Sequence, residues 1–276
     1  MNLKIKAAAL THAGKVRANN EDNFYLNGHI RKNPAQKEAA SGFSGRSHKF
    51  LAAVADGMGG QEYGEVASLL AVKALRPCAL QQVKQYAQAC IEQANNQICI
   101  EIEKNGGRRM GSTLTALYID KERAICCNIG DSRCYLFRDG KLHQLSTDHN
   151  KAGRLVELGV LTPEQAARHP SRHELTQHLG IYPAEMVIQP AFSEPLELKP
   201  GDRLLLCSDG LTDMISQEEI AMVLNRDDAP EAISRELVNR ALENGGRDNV
   251  TVLVMRVQEA SGLGFCQLWN RKEKQE

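Results

Sequence analysis

Acidic residues recur along most of this chain, each time where an apolar, strand-like run meets a glycine turn or a polar loop. Four short clusters carry them: Asn20-Glu21-Asp22, Ala55-Asp56-Gly57-Met58-Gly59-Gly60, Ser208-Asp209-Gly210 and Arg247-Asp248-Asn249. The tight turn Gly130-Asp131-Ser132-Arg133 adds a fifth position. Converging carboxylates repel one another unless a cation binds them. We therefore expect a fold that brings these strand ends together around a cation.

The ligand types indicate which cation this is. A single Asp before Gly is ordinary turn chemistry, so any one position alone would carry little weight. Together the positions offer oxygen ligands without a matching His and Cys set, and hard divalent cations prefer oxygen. Gly57 would also let its backbone carbonyl approach a ligand closely. Magnesium or manganese therefore fits the pattern better than zinc.

Apolar patterning divides the chain into strands and helices. Runs rich in apolar or β-branched residues predict strands at 49–55, 113–119, 123–129, 132–138, 203–207 and 250–257. Asp139-Gly140 predicts a hairpin turn. Helices are predicted at about 61–76, from Val83 onward, at 217–225 and at 230–243. Runs of strands and of helices, rather than strict alternation, indicate an antiparallel α+β fold with sheets inside helical layers.

Two segments are expected to lie outside this regular core. Residues 29–48 are polar and rich in glycine and serine, which is typical of a solvated connection. Residues 258–276 form a C-terminal tail after the last predicted strand and contain the only tryptophan, Trp269. Such a tail could dock on the parent domain, stay disordered or bind a partner.

Composition excludes several classes of protein. The 34 basic and 34 acidic residues cancel, so there is no basic footprint for nucleic acid. No apolar run reaches the roughly 20 residues of a membrane span, and the apolar N-terminal stretch is too short for a signal-peptide core. The eight cysteines form no C-x-x-C pair and are expected to be core residues in a reducing cytosol, a reactive Cys207 being the alternative. We expect a soluble, cytoplasmic protein.

Arg17 lies five residues before Asp22 and suggests a phosphate-binding role. Beside a metal-bound carboxylate, a guanidinium can hold phosphate through two parallel hydrogen bonds; a plain ion pair is the alternative. No GxxxxGK[ST] motif occurs, and Gly57, Gly59 and Gly64 do not fit GxGxxG. The chain is therefore predicted to carry a metal-assisted site for phosphoryl chemistry, without a P-loop.

A set of motifs resembles a known family. The motifs are RANNEDNF (17–24), VADGMGG (54–60), GSTLTAL (111–117), NIGDSRCYL (128–136), LSTDHN (145–150), LLCSDGLTD (205–213) and GGRDNVTVLV (245–254). In this order and spacing they resemble the metal-dependent protein serine/threonine phosphatases of type 2C, the PPM family, in its compact bacterial form. The resemblance implies a phosphatase domain over 1–257. Its fold would be a four-layer αββα sandwich, with two antiparallel sheets flanked by helix pairs.

The resemblance also assigns metal ligands. Asp56 would bridge two Mn²⁺ or Mg²⁺ ions, and Gly57 would offer its carbonyl to one of them. Asp209 and Asp248 would hold the other ion. A third, weaker ion would lie by Asp131 and share Asp209.

Four further roles follow from the same resemblance. Glu21 and Asp22 would act mainly through metal-bound waters, and Asn249 would support their loop. Arg17 would grip the substrate phosphate, which makes Arg17 and Asp56 the catalytic candidates. A water bridging the ions would attack phosphorus directly, in line with the departing serine or threonine oxygen.

Met58 departs from the pattern of many relatives, and the long segment 148–190 has a place in the family fold. Many eukaryotic relatives have histidine where this chain has Met58, and methionine cannot donate a proton to the leaving group. Residues 148–190 would form a flap over the site. Its histidines, His169, His173 and His178, have the wrong spacing for a shared metal site and are expected to contact the protein substrate instead.

These features predict a cytoplasmic phosphatase that acts on phosphoserine and phosphothreonine in proteins and opposes a bacterial Ser/Thr kinase. A monomer is expected, with no nucleic-acid partner. Two alternatives on the same fold are a catalytically silent phosphoprotein-binding module and a hydrolase of small phosphorylated metabolites. The silent module would need a broken metal ligand, and the motifs contain none.

Overall fold

The computed structural model describes residues 3–58, 63–166, 168–260 and 267–269. Its strands are β1 (Leu3–His12), β2 (Asn23–Leu26), β3 (His29–Ile30), β4 (Glu38–Arg46), β5 (Phe50–Ala55), β6 (Gly57–Met58), β7 (Gly111–Ser112), β8 (Leu114–Asp120), β9 (Arg123–Ile129), β10 (Arg133–Arg138), β11 (Lys141–Gln144), β12 (Ala191–Phe192), β13 (Leu196–Glu197), β14 (Arg203–Cys207), β15 (Val250–Glu259) and β16 (Gln267–Trp269). Its helices are α1 (Gly64–Ala74), α2 (Val83–Lys104), α3 (Lys151–Glu157), α4 (Pro163–Ala166), α5 (Asp209–Thr212), α6 (Gln217–Leu224) and α7 (Pro230–Glu243).

The strands form two large antiparallel sheets. One sheet has the order β11-β10-β14-β15-β1-β4-β16, and the other has the order β12-β9-β8-β5-β2-β3, with β13 also paired to β9. The short strands β6 and β7 pair separately beside the second sheet's strand ends. The antiparallel α+β prediction is confirmed.

Three apolar clusters hold four layers together. The middle cluster lies between the sheets and includes Ile5, Phe24 and Leu206. Helices α1 and α2 pack on the outer face of the second sheet, and helices α5, α6 and α7 pack on the outer face of the first. The αββα sandwich follows, because central strands such as β5 and β15 bury side chains on both faces and the packed helices bury one.

Local sequence accounts for most element boundaries. Helix α7 begins with Pro230, whose missing N–H is no loss in the first turn, and Ser216 caps α6 in a capping box with Glu219. Asp139 and Gly140 both have positive φ, at 52° and 75°, as a tight hairpin turn between β10 and β11 requires. The predicted helices and hairpin are therefore confirmed, with ends that shift by a few residues.

The prediction for residues 29–48 is wrong. Most of this segment is strand: β4 pairs with β1 from Glu38 opposite His12 to Arg46 opposite Lys4. Phe43 is buried between the two sheets, and Arg31 is only 2% exposed. The backbone ladder to β1, distant in sequence, overrides the weak strand propensity of glycine and serine.

The cysteine prediction is confirmed for the described residues. Cys78, Cys90, Cys99, Cys126, Cys127, Cys134 and Cys207 are all buried and unpaired. Burial raises the pKa of the Cys207 thiol to about 12, which argues against a reactive thiolate there.

The C-terminal tail is described only in part. Strand β15 ends at Glu259, slightly beyond the predicted domain boundary, and Gln267–Trp269 pair with β4. Cys266 and the glycines Gly59 and Gly60 lie outside the described residues.

No helix in the described ranges combines the length and apolarity needed to cross a membrane.

Candidate metal centre

A cavity of about 440 Å³ opens where the predicted acidic strand ends meet. Its lining includes Arg17, Glu21, Asp56, Gly57, Met58, Thr113, Asp131, His173, Asp209, Asp248 and Asn249. A larger cavity, of about 800 Å³, lies beside Leu3 at the opposite end of β1 and contains none of the predicted site residues. The structure thus brings together carboxylates from distant parts of the chain. Glu21 and Asp248, for example, are 227 residues apart in sequence.

Backbone contacts fix Asp56 at the end of β5. Its N–H donates to Thr113 Oγ1 over 3.0 Å, and its carbonyl accepts from Ser112 Oγ over 3.0 Å and from the Thr113 N–H over 2.9 Å. The turn from β5 into β6 is therefore tied to the start of β8, and the Asp56 side chain lines the cavity. Asp131 reaches the same cavity from the turn between β9 and β10.

Glycine is required directly after Asp56 for steric reasons. A Cβ on Gly57 would lie 2.2 Å from the carbonyl oxygen of Gly64 and 2.4 Å from that of Glu21. Three backbone segments therefore meet at this point with no space for a side chain. This packing holds the Gly57 backbone at the cavity wall, where a carbonyl can serve as a ligand.

Asn249 joins two of the acidic loops. Its side chain accepts from the Glu21 N–H over 2.7 Å and donates to the carbonyls of Ala13 and Asn19 over 2.9 Å and 2.8 Å. The loop before β2 and the loop before β15 are thereby held together. Glu21 and Asp248 consequently face the same cavity.

Asp22 lies fully buried behind the cavity lining. Its Oδ2 accepts from Ser208 Oγ over 2.8 Å and from Thr251 Oγ1 over 2.7 Å. Its Oδ1 is buried without a hydrogen-bond partner among the described residues. A buried polar atom without a partner costs roughly 1–3 kcal/mol, so this oxygen calls for water or a cation nearby.

The acidic side chains strongly perturb one another. Burial, and then the charges of Asp22, Asp209, Asp131 and Asp248, hold the pKa of Asp56 well above its ordinary value. Burial also raises the pKa of Asp22 to about 7 and that of Asp209 to about 6. Desolvation and like charge disfavour ionisation here, which is the condition that a bound cation relieves.

Arg17 stands at the rim of the cavity and pairs with one of the carboxylates. Its Nη2 donates to Asp248 Oδ2 over 2.7 Å, and its side chain is 56% exposed. The hydrogen bond to Asp248 is the main cause that raises the pKa of Arg17. The structure therefore contains the ion pair that the sequence left as the alternative, at a position open to solvent.

Of the three flap histidines, one reaches the acidic cluster. His173 Nδ1 lies 3.6 Å from Asp213 Oδ2 and 4.0 Å from Asp209 Oδ2. His169 instead accepts from the Ser171 N–H within its own turn, and His178 Nδ1 bonds to the carbonyl of Leu179. His173 and Asp213 were not predicted as part of the site, because only the folded flap brings His173 to helix α5.

The donor set fits hard divalent cations. The carboxylates around the cavity offer oxygen ligands, Gly57 adds a backbone carbonyl at the wall, and Asp22 has an unpartnered oxygen among the described atoms. Such ligands are those that Mg²⁺ and Mn²⁺ prefer. The predicted residues that line the cavity are Arg17, Glu21, Asp56, Gly57, Asp131, Asp209, Asp248 and Asn249, with Asp22 directly behind them.

Comparisons with known proteins identify relatives of this chain. A profile described as protein phosphatase 2C matches residues 27–249. The serine/threonine protein phosphatase PstP of Mycobacterium tuberculosis is 36% identical over 262 residues, which cover 93% of this chain but 46% of PstP. This chain thus spans about half the length of that relative. Protein phosphatase PhpP of Streptococcus pneumoniae is 35% identical over 262 residues, covering 92% of this chain and 98% of PhpP.

A solved structure extends the similarity to three dimensions. The catalytic domain of PstP in complex with two manganese ions superposes with a TM-score of 0.75 at 35% identity. The superposition covers 93% of this chain and 100% of that domain.

Proposed function

Because this chain belongs to the protein phosphatase 2C family, we propose that it hydrolyses phosphoserine and phosphothreonine esters on proteins, with two manganese or magnesium ions. The observation that carries this proposal is the convergence of Asp56, Asp209 and Asp248 on one cavity. The two manganese ions in the PstP catalytic domain support the metal requirement.

The residues that would hold the two ions are Asp56, Gly57, Asp209 and Asp248, and a third ion would add Asp131. When bound, such ions lower the pKa of water and neutralise charge on phosphoryl oxygens. Asp22 and Glu21 would act through ordered water, consistent with an Asp22 Oδ1 that lacks a hydrogen-bond partner within the described part of the chain. Water would add to phosphorus as the bond to the seryl or threonyl oxygen breaks. The water would lose one proton and the departing oxygen would gain one, giving inorganic phosphate and the free hydroxyl.

Arg17 is the residue that would orient the phosphate. Its guanidinium is exposed at the rim and already faces an anion, the Asp248 carboxylate. A cation that shared the charge of Asp248 would weaken the hold of Asp248 on Arg17, and the guanidinium would then be able to bind a phosphate. A guanidinium can grip two phosphoryl oxygens at once, which fixes the phosphorus for in-line attack.

The flap would set which protein segments reach the cavity. His173 and Leu175, from residues 148–190, line the cavity, so a substrate backbone must pass beside them. We place the enzyme in the cytoplasm as a monomer, opposing a Ser/Thr kinase that supplies its phosphoprotein substrates. The phosphatase domain would end near residue 257, before the tail 258–276.

The class of substrate can be tested directly. With Mn²⁺, the wild-type chain is expected to hydrolyse phosphothreonine peptides with a kcat/KM at least about 10²-fold above that for sugar phosphates, because uniform binding of phosphate alone cannot position a small ester. Malachite-green phosphate release under steady-state conditions measures both. Equal turnover of the two classes would favour a small-molecule phosphohydrolase, and no turnover of either would favour a silent binding module.

Arg17→Ala should separate phosphate binding from metal binding. Loss of a charge-assisted hydrogen-bond pair costs about 1.5–3 kcal/mol, so kcat/KM for a phosphopeptide is expected to fall about 10- to 100-fold. The Mn²⁺ dissociation constant, measured by isothermal titration calorimetry, should stay the same or tighten, because Asp248 loses a competing partner. Arg17→Lys is the matched variant and should recover only part of the activity. Weaker Mn²⁺ binding in Arg17→Ala would argue against this role.

A further inference from the structure

We propose that Arg31 is a positioning residue for the metal centre, which orders the loop carrying Glu21 and Asp22 by binding its backbone carbonyls from behind. Arg31 lies in the segment 29–48, outside the motifs that carry the family resemblance, and it does not line the cavity. The inference rests on the metal binding of the proposed function, since it concerns the same metal-binding loop, and does not depend on the phosphatase activity.

The guanidinium of Arg31 binds the loop through one edge. Nη2 donates to the carbonyls of Asn20 and Asp22, each over 2.7 Å, and Nε donates to Asp22 over 3.1 Å. These two carbonyls flank Glu21 on both sides. Their positions therefore determine how the peptide units around Glu21 and Asp22 are oriented toward the cavity.

The other edge of the guanidinium is anchored in a separate turn. Nη1 donates to the carbonyls of Pro34 and Gln36 over 2.9 Å and 3.0 Å, with a longer contact to Asn33 at 3.4 Å. The planar fork thus joins the metal loop to the turn before β4. A lysine ammonium, as a point donor on a flexible stem, cannot span both sets of carbonyls.

Arg31 is itself held in place. Asn23 Oδ1 accepts from the Arg31 N–H over 3.1 Å, and Asn23 Nδ2 donates to the Arg31 carbonyl over 3.0 Å. On the cavity side, Asn249 binds the Glu21 N–H. The loop is therefore fixed from two directions, by Asn249 at the cavity and by Arg31 at its back.

The positive charge of Arg31 distinguishes it from a side chain that only links two loops by hydrogen bonds. It is 2% exposed, yet its guanidinium forms no ion pair with a carboxylate among the described residues. Burial lowers its pKa, and the charges of Asp22 and Glu65 oppose that shift. An unpaired buried cation is costly. Neutral N–H donors could bind the same carbonyls at a lower desolvation cost. The positive charge of Arg31 behind Asp22 additionally offsets the negative charge of the acidic cluster.

The test measures the binding of Mn²⁺ to the metal-stripped full chain by isothermal titration calorimetry. Loss of an outer partner of a metal site typically weakens affinity 10- to 100-fold, so we expect Arg31→Gln to bind Mn²⁺ at least about 10-fold more weakly. Arg31→Lys should also bind more weakly, because it keeps the charge but loses the fork. At saturating Mn²⁺, KM for a phosphothreonine peptide should stay within about twofold of wild type, since Arg17 is untouched.

Arg138→Gln is the matched control. Arg138 is a partly buried arginine, and it binds Asp202 and the carbonyl of Glu197 away from the cavity. The Arg138→Gln substitution should lower thermal stability without changing the Mn²⁺ dissociation constant. Wild-type Mn²⁺ affinity in either folded Arg31 variant would overturn the proposal, and Arg31→Lys alone decides if Arg31→Gln does not fold. A wild-type chain that binds Mn²⁺ without phosphatase activity would refute the proposed function and leave this inference standing.

Discussion

An Asp56→Asn variant is expected to lose about 10²- to 10³-fold in kcat/KM for a phosphothreonine peptide, the size typical of removing a key electrostatic contact in an active site. The substitution keeps the shape of the side chain and removes its charge. Asp56 lines the cavity, and the charges of Asp22, Asp131, Asp209 and Asp248 all act on it. Steady-state phosphate release across a range of Mn²⁺ concentrations measures the effect.

Asp139→Asn is the matched control for this change. Asp139 lies in the hairpin turn between β10 and β11, with φ of 52°, a conformation that asparagine adopts as readily as aspartate. Its activity should equal that of wild type. Asp56→Asn with wild-type activity at saturating Mn²⁺ would remove Asp56 from the proposed chemistry.

Asp56→Asn should also change how the free energy of unfolding of the metal-free chain depends on pH. Burial raises the folded-state pKa of Asp22 to about 7 and of Asp209 to about 6, from an ordinary value of 3.8. A group with a raised folded pKa contributes stability that is complete below its unfolded pKa and lost as pH rises through the folded value. Metal-free wild type should therefore lose stability between about pH 4 and pH 8. Asp56→Asn should lose less, because one interacting charge is gone, and thermal melts in EDTA measure both curves.

Gly57→Ala is expected to destabilise the fold by at least about 3 kcal/mol, at the upper end of the cost of overpacking. The added Cβ would lie 2.2 Å and 2.4 Å from two backbone oxygens, which cannot rotate away as a side chain would. Moving them displaces the loop of Glu21 and the start of α1 together. The response of thermal stability to Mn²⁺ should be lost as well, since Gly57 and Glu21 both line the cavity.

Gly42→Ala provides the comparison for Gly57→Ala. Gly42 lies in β4, and its added Cβ would be 3.6 Å from Glu231 Oε1 and 3.9 Å from the carbonyl of Ala7, which is ordinary contact. Its cost in a urea unfolding experiment should stay below about 1 kcal/mol. If both alanine variants unfold at the same urea concentration as wild type, the close backbone packing around Gly57 is not required.

Sequence periodicity predicted the elements whose partners are local or whose apolar pattern is strong. The strand Arg203–Cys207 and the helix Pro230–Glu243 occur as predicted, because an apolar run and a proline start signal each act within one element. Strand β1 was not identified, although Leu3, Ile5 and Ala7 alternate with more exposed neighbours toward its start. Its second half is buried on both faces, and this hides the alternation.

The segment 29–48 shows where local composition misleads. Its glycines and serines favour a loop, but β1 supplies a continuous ladder of backbone partners for β4. Hydrogen bonds to a strand distant in sequence do not depend on side-chain type, so no local pattern predicts them. For the same reason the burial of Arg31 could not be anticipated, since its partners are backbone carbonyls.

The amino-acid sequence by itself predicted the family, the fold class and the acidic residues that line the cavity, because motif spacing and apolar period are properties of the chain. Only the tertiary structure decided how these residues meet: Asp22 is buried with one oxygen that has no partner among the described residues, Arg17 pairs with Asp248, His173 lies beside Asp209, and Arg31 lies behind the loop. Distances between residues far apart in sequence depend on how two sheets pack, and electrostatic coupling depends on those distances and on burial.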